Sequence, residues 1–202
     1  MSEQFEYAVE LGLCDPLDPK IQGFSGDYRF LSNFWMTDIL DGGILYRSSE
    51  HFYMSHKTFD EEIRDAILAA PTGAAAKKIG RAAPLRADWE EIKLDVMLRA
   101  LCLKFTQSSH LAFKLLLTEN SYLEETNTWY DTTWGVCNGV GKNQLGILLM
   151  LVRNNLSPNL KELLDGDLSE HPTLGICNSG VPLSSIRFNL LPGICPTVFG
   201  QV

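Results

Sequence analysis

The stretch DTTWGVCNGVGKNQLGILLMLVR, from Asp131 to Arg153, joins a glycine-rich loop to a strongly apolar segment. The apolar part, Leu145 to Leu156, is rich in helix-forming residues and predicts a buried helix. Gly139, Gly141 and Gly146 let the backbone turn sharply and approach a ligand closely, because glycine has no Cβ. Free N–H groups and the dipole at a helix start attract anions. The loop therefore predicts a phosphate or pyrophosphate ligand at the start of a core helix.

Two familiar phosphate-binding motifs do not fit this loop. A Walker loop has four residues between its first glycine and its Gly-Lys pair, but five separate Gly135 from Gly141, and Asn143 stands where Ser or Thr is required. The dinucleotide fingerprint G-x-G-x-x-G does not fit either, because Gly139 and Gly141 are followed by Gly146 rather than by a glycine three residues after Gly141. A structural turn that binds no ligand explains the loop equally well.

The composition is that of an ordinary water-soluble domain. The chain has 202 residues, 45% of them hydrophobic and 21% charged, which is enough for one domain with a full core. A net charge of −8 argues against broad nucleic-acid binding, which relies on many Lys and Arg contacts to phosphates. The five cysteines are odd in number and show no Cys-x-x-Cys spacing, and the four histidines lack metal-ligand spacing, so neither disulfides nor a metal site are predicted. With no leader sequence or membrane span recognisable, the expected location is the cytoplasm.

The first part of the chain predicts short strands and turns. Residues 1–20 are polar and acidic and predict a lead-in with little order. Residues 21–35 suggest a short strand, a tight turn and a second, aromatic strand. Asn33 lies between apolar residues there, and it either fixes a turn or points into a ligand pocket. Asp41-Gly42-Gly43 predicts a hairpin turn, with Ile44-Leu45-Tyr46 as the returning strand.

Helices are predicted to follow. Ser48 or Ser49 caps a helix that continues through residues 50–70, with Glu50 in the first turn, where the helix dipole favours the ionised carboxylate. Lys57 lies on the same side of that helix, and a solvated glutamate is the simpler alternative for Glu50. Further expectations are a helix from Thr72 with Gly80 as its C-cap, a helix from Asp88, a helix from Ser108 or Ser109, a strand at 122–125, and an irregular C-terminal extension at 157–202.

A set of short motifs resembles the YbiA-like family, also called the NADAR domain. The likeness runs in order from about Ile21 to Asn155, and the resemblance implies one compact α+β, predominantly helical domain over residues 21–156. The motifs are GDYRFLSNF (26–34), SSEHFYMSHK (48–57), GR (80–81), DWE (88–90) with Lys93, KF-x-Q (104–107), D-x-x-WG (131–135), and GxGKNxLG (139–146) followed by LM-x-VR.

The resemblance implies an enzyme that hydrolyses an N-glycosidic bond between a 5′-phosphorylated ribose and a nitrogenous base, such as a ribosylamino-pyrimidine of riboflavin synthesis. One alternative is removal of ADP-ribose from a nucleobase such as guanine, with ADP-ribosylated nucleic acid as the substrate. A second is a non-catalytic module that binds ADP-ribose or another NAD metabolite, and a purely structural role is a third. No cofactor, no metal and no membrane partner are implied.

Such hydrolysis builds positive charge on the ribose, so the site requires a fixed anion near the sugar and a proton source near the base. Glu50 is expected to stabilise the charge and orient the water, and Asp131 to act as general acid or base, although these roles could be exchanged. Trp134, beside Gly135, offers a flat face for the base. The expected phosphate contacts are Lys57, Arg81, Lys93, Lys142 and the Gly141 backbone, while Asn143 and Asn33 would bind ribose hydroxyls or fix the loop.

This chain also departs from the family pattern. Thr128-Trp129-Tyr130 makes one loop about a residue longer than in the riboflavin-type relatives, and Val136 and Cys137 follow the Trp-Gly pair. These differences concern the wall of the expected pocket and therefore the base that the site accepts.

Overall fold

Seven α-helices, one 3-10 helix and six strands of two or three residues form the described part of the chain. The computed structural model describes residues 2–156, and they divide into two compact units, residues 2–32 with 110–156 and residues 33–109. Helix dominates both units, so the predicted α+β, predominantly helical class is confirmed. No helix among residues 2–156 has the length and apolarity that crossing a membrane would require. The predicted C-terminal extension, 157–202, lies outside the described residues.

The first unit is built around its last helix, which corresponds to the apolar stretch of the sequence. This helix, α7 (Gln144–Asn155), has its residues from Leu145 to Arg153 buried, as predicted from their composition. A Cβ on Gly146 would lie 2.0 Å from the carbonyl oxygen of Leu123 in strand β4 (Leu123–Glu124). Only glycine therefore lets the helix pack this closely against the strand. The unit's elements are α1 (Glu3–Glu10), β1 (Ile21–Gln22), a 3-10 helix (Gly26–Leu31), α6 (Ser109–Leu116), β4 (Leu123–Glu124), β5 (Thr126–Asn127), β6 (Val136–Cys137) and α7 (Gln144–Asn155).

The strands of this unit form two parallel pairs. Strand β1 pairs with β4, placing Ile21 beside Leu123, and β5 pairs with β6. The predicted strands at 21 and 122–125 are therefore confirmed, although each is only two residues long. The predicted second aromatic strand is wrong, because residues 26–31 form the 3-10 helix instead.

The expected disorder of residues 1–20 is also wrong. Helix α1 buries Phe5 and Ala8, and the Phe5 ring stands edge-on to the Tyr122 ring with the centroids 5.1 Å apart. The Lys20 ammonium lies 3.7 Å from the Phe5 ring centroid. An eight-residue helix that buries only two side chains leaves too weak an apolar pattern to be recognised in the sequence.

Arg153 ties the N-terminal segment to the end of α7. Its guanidinium is buried and donates hydrogen bonds to Thr118 Oγ1 at 2.8 Å, the Ser121 carbonyl at 2.9 Å and the Leu13 carbonyl at 2.8 Å. Burial lowers the pKa of this side chain to about 10. The arginine of the LM-x-VR motif therefore has a structural explanation in this fold.

The second unit begins with the predicted hairpin and continues with helices. Gly42 and Gly43 both have positive φ, 55° and 78°, as the two central positions of a tight hairpin turn require. The motif residue Gln107 pairs with the backbone of Leu40 through two hydrogen bonds, of 2.9 Å and 2.7 Å. The unit's elements are β2 (Ile39–Asp41), β3 (Ile44–Tyr46), α2 (Ser49–Ser55), α3 (Glu61–Leu68), α4 (Gly73–Ala82) and α5 (Trp89–Thr106).

The single helix predicted over residues 50–70 is wrong, because the chain forms two helices, α2 and α3. Thr58 Oγ1 accepts a hydrogen bond from the Asp60 N–H at 3.2 Å, and Asp60 in turn caps α3 by accepting from the Ile63 N–H at 3.1 Å. These local bonds compete with the helix and interrupt it after Ser55.

Two details of the helix ends also differ from the predictions. Thr72 caps α4 as expected, but the helix continues through Gly80 and Arg81, so Gly80 is not a C-cap. Packing explains the glycine at position 80, since a Cβ there would lie 2.6 Å from Met54 Sδ. Asp88 precedes α5 as expected, but its carboxylate pairs with Arg86 at 2.6 Å rather than capping the helix.

Candidate functional site

Glu50 lies in the first turn of α2, next to Asn33. Ser48 caps this helix, because its Oγ accepts a hydrogen bond from the His51 N–H at 3.3 Å. Glu50 is only 4% exposed, and its backbone N–H donates to the Asn33 carbonyl at 3.1 Å. The simpler alternative for Glu50, a solvated glutamate, is therefore wrong. The buried Glu50 instead lies beside Asn33, whose two suggested roles were to fix a turn or to point into a ligand pocket.

Two buried polar atoms belong to the neighbours of Glu50, which are Ser49 in sequence and Asn33 through the backbone hydrogen bond. Asn33 Oδ1 and Ser49 Oγ are inaccessible to solvent and have no hydrogen-bond partner in the part of the chain that the structure describes. Most buried polar atoms in proteins do have a partner, which can be protein, water or ligand. Asn33, Ser49 and Glu50 thus form a corner of buried polar residues at the start of α2.

Helix α4 packs on α2 through a glycine near this corner. A Cβ on Gly73 would lie 3.1 Å from Phe34 and 3.4 Å from Glu50 Cβ. The small residue at the start of α4 therefore brings this helix close to Glu50. The basic residues of α4, Lys77 and Arg81, belong to the same unit.

Lys57 lies within electrostatic reach of Glu50 and of two further cations, Arg81 and Lys77. Burial lowers the pKa of Lys57, Glu50 raises it, and Arg81 and Lys77 lower it further. The Lys57 ammonium also lies 5.9 Å from the Trp89 ring centroid. Lys57 and Arg81, both predicted to bind phosphate, are thus brought together near Glu50.

Lys77 is one of these cations, and the sequence analysis missed it. It precedes Arg81 by four residues on α4, so the two side chains share one side of the helix. Its ammonium lies 5.4 Å from the centroid of the Phe34 ring. The available signal was the i, i+4 spacing of Lys77 and Arg81 in AKKIGR, the stretch that ends in the GR motif.

Lys93, another predicted phosphate contact, forms an ion pair with Glu90 one turn earlier on α5. The side chain of Lys93 is 23% exposed and that of Glu90 is 75% exposed. An ion pair with a neighbouring, exposed acid accounts for Lys93 as a surface residue without any ligand.

Asp131 is held firmly within its loop. Its Oδ1 accepts hydrogen bonds from the Thr133 N–H at 3.1 Å and the Trp134 N–H at 2.9 Å. The buried amide of Asn127 holds the Asp131 backbone from the other side, accepting from its N–H at 3.1 Å and donating to its carbonyl at 2.8 Å. The carboxylate is therefore fixed in place while the residue remains partly exposed.

The expected anion site at the start of α7 is not formed as predicted. The N–H groups of Lys142, Gln144 and Leu145 donate to the carbonyls of residues 132, 133 and 134, at 2.8, 3.2 and 3.0 Å. These bonds consume the backbone donors that a phosphate would use at this end of the helix.

The glycines of this loop allow close approach between backbone segments. A Cβ on Gly135 would lie 2.1 Å from the Glu125 carbonyl oxygen, and one on Gly141, where φ is 152°, would lie 2.1 Å from the Gly135 carbonyl oxygen. Both glycines are thus explained by packing within the loop.

Asn143 fixes the loop, which is one of its two expected roles. Its side chain is fully buried, donates to Leu123 O at 2.8 Å and Tyr122 Oη at 3.0 Å, and accepts from the Glu125 N–H at 3.1 Å. Lys142 is exposed and Trp134 is partly exposed, so both can contact a ligand.

The predicted site residues fall into the two units described above. One unit holds Asn33, Glu50, Lys57, Arg81 and Lys93, and the other holds Asp131, Trp134, Gly135, Gly141, Lys142 and Asn143. Within residues 2–156, no three His, Cys, Asp or Glu side chains converge as a metal site would require.

Comparison with known proteins identifies the family. The sequence model of the NADAR domain matches residues 23–157, a continuous span that includes parts of both units. The N-glycosidase YbiA of Shigella flexneri serotype 5b (strain 8401) is 40% identical over 136 residues, which are 66% of this chain and 84% of that protein. The Riboflavin biosynthesis protein VVA0006 of Vibrio vulnificus is 34% identical over 146 residues, but these are only 40% of its length and 69% of this chain.

The fold agrees with this match. The NMR structure of the Escherichia coli protein YbiA superposes with a TM-score of 0.65 at 34% identity, covering 79% of this chain and 95% of that structure. The family match spans the motifs quoted from the sequence, and the structural match extends over most of the chain. This chain therefore belongs to the NADAR domain family.

Proposed function

We propose that this protein hydrolyses the N-glycosidic bond of a 5′-phosphorylated ribosylamine, with a ribosylamino-pyrimidine of riboflavin synthesis as the first candidate substrate. Its general class is that of its relatives named N-glycosidases, and the chain is a hydrolase acting on N-glycosyl bonds. The name of the Vibrio relative, a riboflavin biosynthesis protein, supports the candidate substrate.

The observation that carries the proposal is the buried Glu50 beside a cluster of cations. As the bond to the base breaks, positive charge develops on C1′ and the ring oxygen of the ribose, and a preorganised carboxylate stabilises that charge. Lys57, Lys77 and Arg81 supply positive charge for the 5′-phosphate in the same unit. Glu50 would thus act on the sugar while the cations hold its phosphate.

Asp131 is our candidate for the second carboxylate, which protonates the leaving nitrogen. The two backbone N–H groups at its Oδ1 and the Asn127 amide restrict its motion, so little reorganisation is needed during the reaction. Trp134, partly exposed three residues later, offers a flat surface on which a base can stack.

Removal of ADP-ribose from a nucleobase is the second candidate function. It is favoured by the third cation, Lys77, since three positive side chains suit a pyrophosphate better than a monophosphate. The two candidates share the same bond cleavage and differ in the size and charge of the donor.

Parallel incubations distinguish these functions. The purified protein is treated with EDTA and given either the ribosylamino-pyrimidine 5′-phosphate or an oligonucleotide that carries ADP-ribosylated guanine, and release of the base is followed by mass spectrometry. Cleavage of the first substrate alone supports the proposal, and cleavage of the second alone supports the alternative. Binding of ADP-ribose with neither substrate cleaved would replace both with a binding module.

Lys77→Gln is expected to raise KM for the cleaved substrate about tenfold, with a smaller change in kcat. The lysine would contribute one charged contact to phosphate, and such contacts are worth roughly 1.5–3 kcal/mol. Steady-state kinetics provide the measurement. Lys78→Gln is the matched control, because Lys78 is the exposed neighbour with the same charge. Equal effects of the two substitutions would indicate a general effect of surface charge and remove Lys77 from the site.

A further inference from the structure

Accessible aromatic side chains are concentrated around Asp131. Aromatic residues make up 10% of the chain, but three of the six residues at positions 129–134 are aromatic, namely Trp129, Tyr130 and Trp134. Trp129 is 60% exposed, Tyr130 is 80% exposed and Trp134 is partly exposed. Tryptophan is usually well buried, and single exposed apolar residues are common, but neighbouring ones mark contact surfaces. The rings beside this carboxylate therefore indicate a surface that binds something rather than part of the core.

Hydrogen bonds of the backbone hold these residues in a fixed relation to the carboxylate. The N–H groups of Trp129 and Asp131 donate to the same buried oxygen, Asn127 Oδ1, at 3.2 and 3.1 Å, and the Trp134 N–H donates to Asp131 Oδ1 at 2.9 Å. Tyr130 has a φ of 62°, in the left-handed region that bulky residues rarely adopt. Such strained positions cluster at functional sites, where the surrounding structure maintains them.

The composition of this surface indicates the chemistry of its ligand. The tip of the loop, Thr128-Trp129-Tyr130, carries no charged side chain, so it offers nothing to pair with a phosphate. The faces of indole and phenol rings suit a planar group, and every nucleobase has a π face that stacks on them. In the proposed reaction, the planar group that must lie next to Asp131 is the leaving base, because Asp131 is the candidate donor of its proton.

We propose that Trp129 and Tyr130 contact the leaving base and determine which base the site accepts. This inference rests on the proposed function, in which Asp131 protonates the leaving nitrogen. The two rings take no part in making or breaking bonds. They hold the base beside the carboxylate, so their contribution is to affinity for the part of the substrate that contains the base.

Product inhibition separates contact with the base from contact with the sugar. For the candidate substrate that the parent protein cleaves, the inhibition constants of both products are measured, the one that contains the base and the one that contains the ribose phosphate. Trp129→Ala and Tyr130→Ala are each expected to raise the constant of the base-containing product about tenfold, within the range for loss of one base–aromatic stacking contact. The constant of the sugar phosphate should stay within about twofold.

Control variants distinguish this contact from a structural effect. The replaced side chains are exposed, and the bonds to Asn127 use backbone N–H groups, so the melting temperature is expected to stay unchanged. Trp129→Phe keeps a ring and is expected to retain most of the affinity for the base-containing product. Tyr7→Ala is the matched control, because Tyr7 is an aromatic residue of α1 in the same unit and is 41% exposed. It should change neither constant.

Each result decides the inference. A rise confined to the base-containing product, in at least one of the two alanine variants, supports the base contact. An equal rise for both products would mean that the tip only orders its loop, and unchanged constants in both variants would mean that it contacts no base. Either result, or a parent that its base-containing product does not inhibit, overturns this inference and leaves the proposed function standing. A parent that cleaves neither candidate substrate overturns the proposed function, and the inference fails with it.

Discussion

Glu50→Gln is expected to lower kcat/KM by at least about 10²-fold, the contribution typical of a positioned catalytic carboxylate. Glutamine keeps the size of the side chain and removes its charge. The site then loses the anion that stabilises the developing positive charge on the ribose. Because Glu50 is only 4% exposed, bulk water cannot replace that charge readily.

The measurement is the rate of base release by the purified variant, with circular dichroism and thermal melting to confirm folding. Glu61→Gln provides the matched control, since Glu61 occupies the first turn of the neighbouring helix α3 but is exposed. The control should retain full activity. A loss of only about tenfold in Glu50→Gln would make Glu50 an auxiliary residue, and an unchanged rate would remove it from the mechanism.

Gly146→Ala is expected to destabilise the fold by about 3 kcal/mol or more. The added methyl group would lie 2.0 Å from the Leu123 carbonyl oxygen and 2.6 Å from the Asn143 amide, so α7 and strand β4 would have to move apart. Overpacking of a core commonly costs about 1–3 kcal/mol, and a backbone atom in the way allows less relief than a flexible side chain. The favourable helix propensity of alanine, about 1 kcal/mol over glycine, offsets only part of this cost.

Denaturant unfolding of the variant and the parent protein measures this difference. Gly139→Ala serves as the comparison, because Gly139 has a positive φ of 77° and a methyl group added there would meet no atom of residues 2–156 within 4 Å. Its cost should be limited to backbone strain, about 1–2 kcal/mol. If Gly146→Ala proved less destabilising than Gly139→Ala, the close packing of α7 on β4 would not be the reason for this glycine.

The sequence predicted helices most reliably where local capping decides their ends. Thr72 caps α4 with a hydrogen bond from the Ala75 N–H at 3.2 Å, and Ser48, one of the two expected caps, begins α2. The break between α2 and α3 was missed even though its cause is local, because the apolar residues on either side of Thr58 and Asp60 suggest a continuous helix.

The functional residues were predicted less completely, because their environment depends on distant parts of the chain. The burial of Glu50 requires packing by α4, which begins more than 20 residues later in the sequence. The loop before α7 shows the opposite case. Its glycines and helix start suggested a phosphate site, but carbonyls of residues 132–134 occupy the helix-start donors, and no spacing rule shows such partners in advance.

The Asn127 amide holds the backbone where the exposed tip of its loop, residues 128–130, joins Asp131. The amide oxygen accepts hydrogen bonds from the Trp129 N–H at 3.2 Å, within residues 128–130, and from the Asp131 N–H at 3.1 Å, directly after them. Trp129 and Tyr130 extend outward, 60% and 80% exposed, and Tyr130 has a positive φ of 62°. This short tip can therefore change in length and composition while Asp131 keeps its hydrogen bonds. Evolution within the family thus has a place to vary the surface beside Asp131 without rebuilding the domain beneath it.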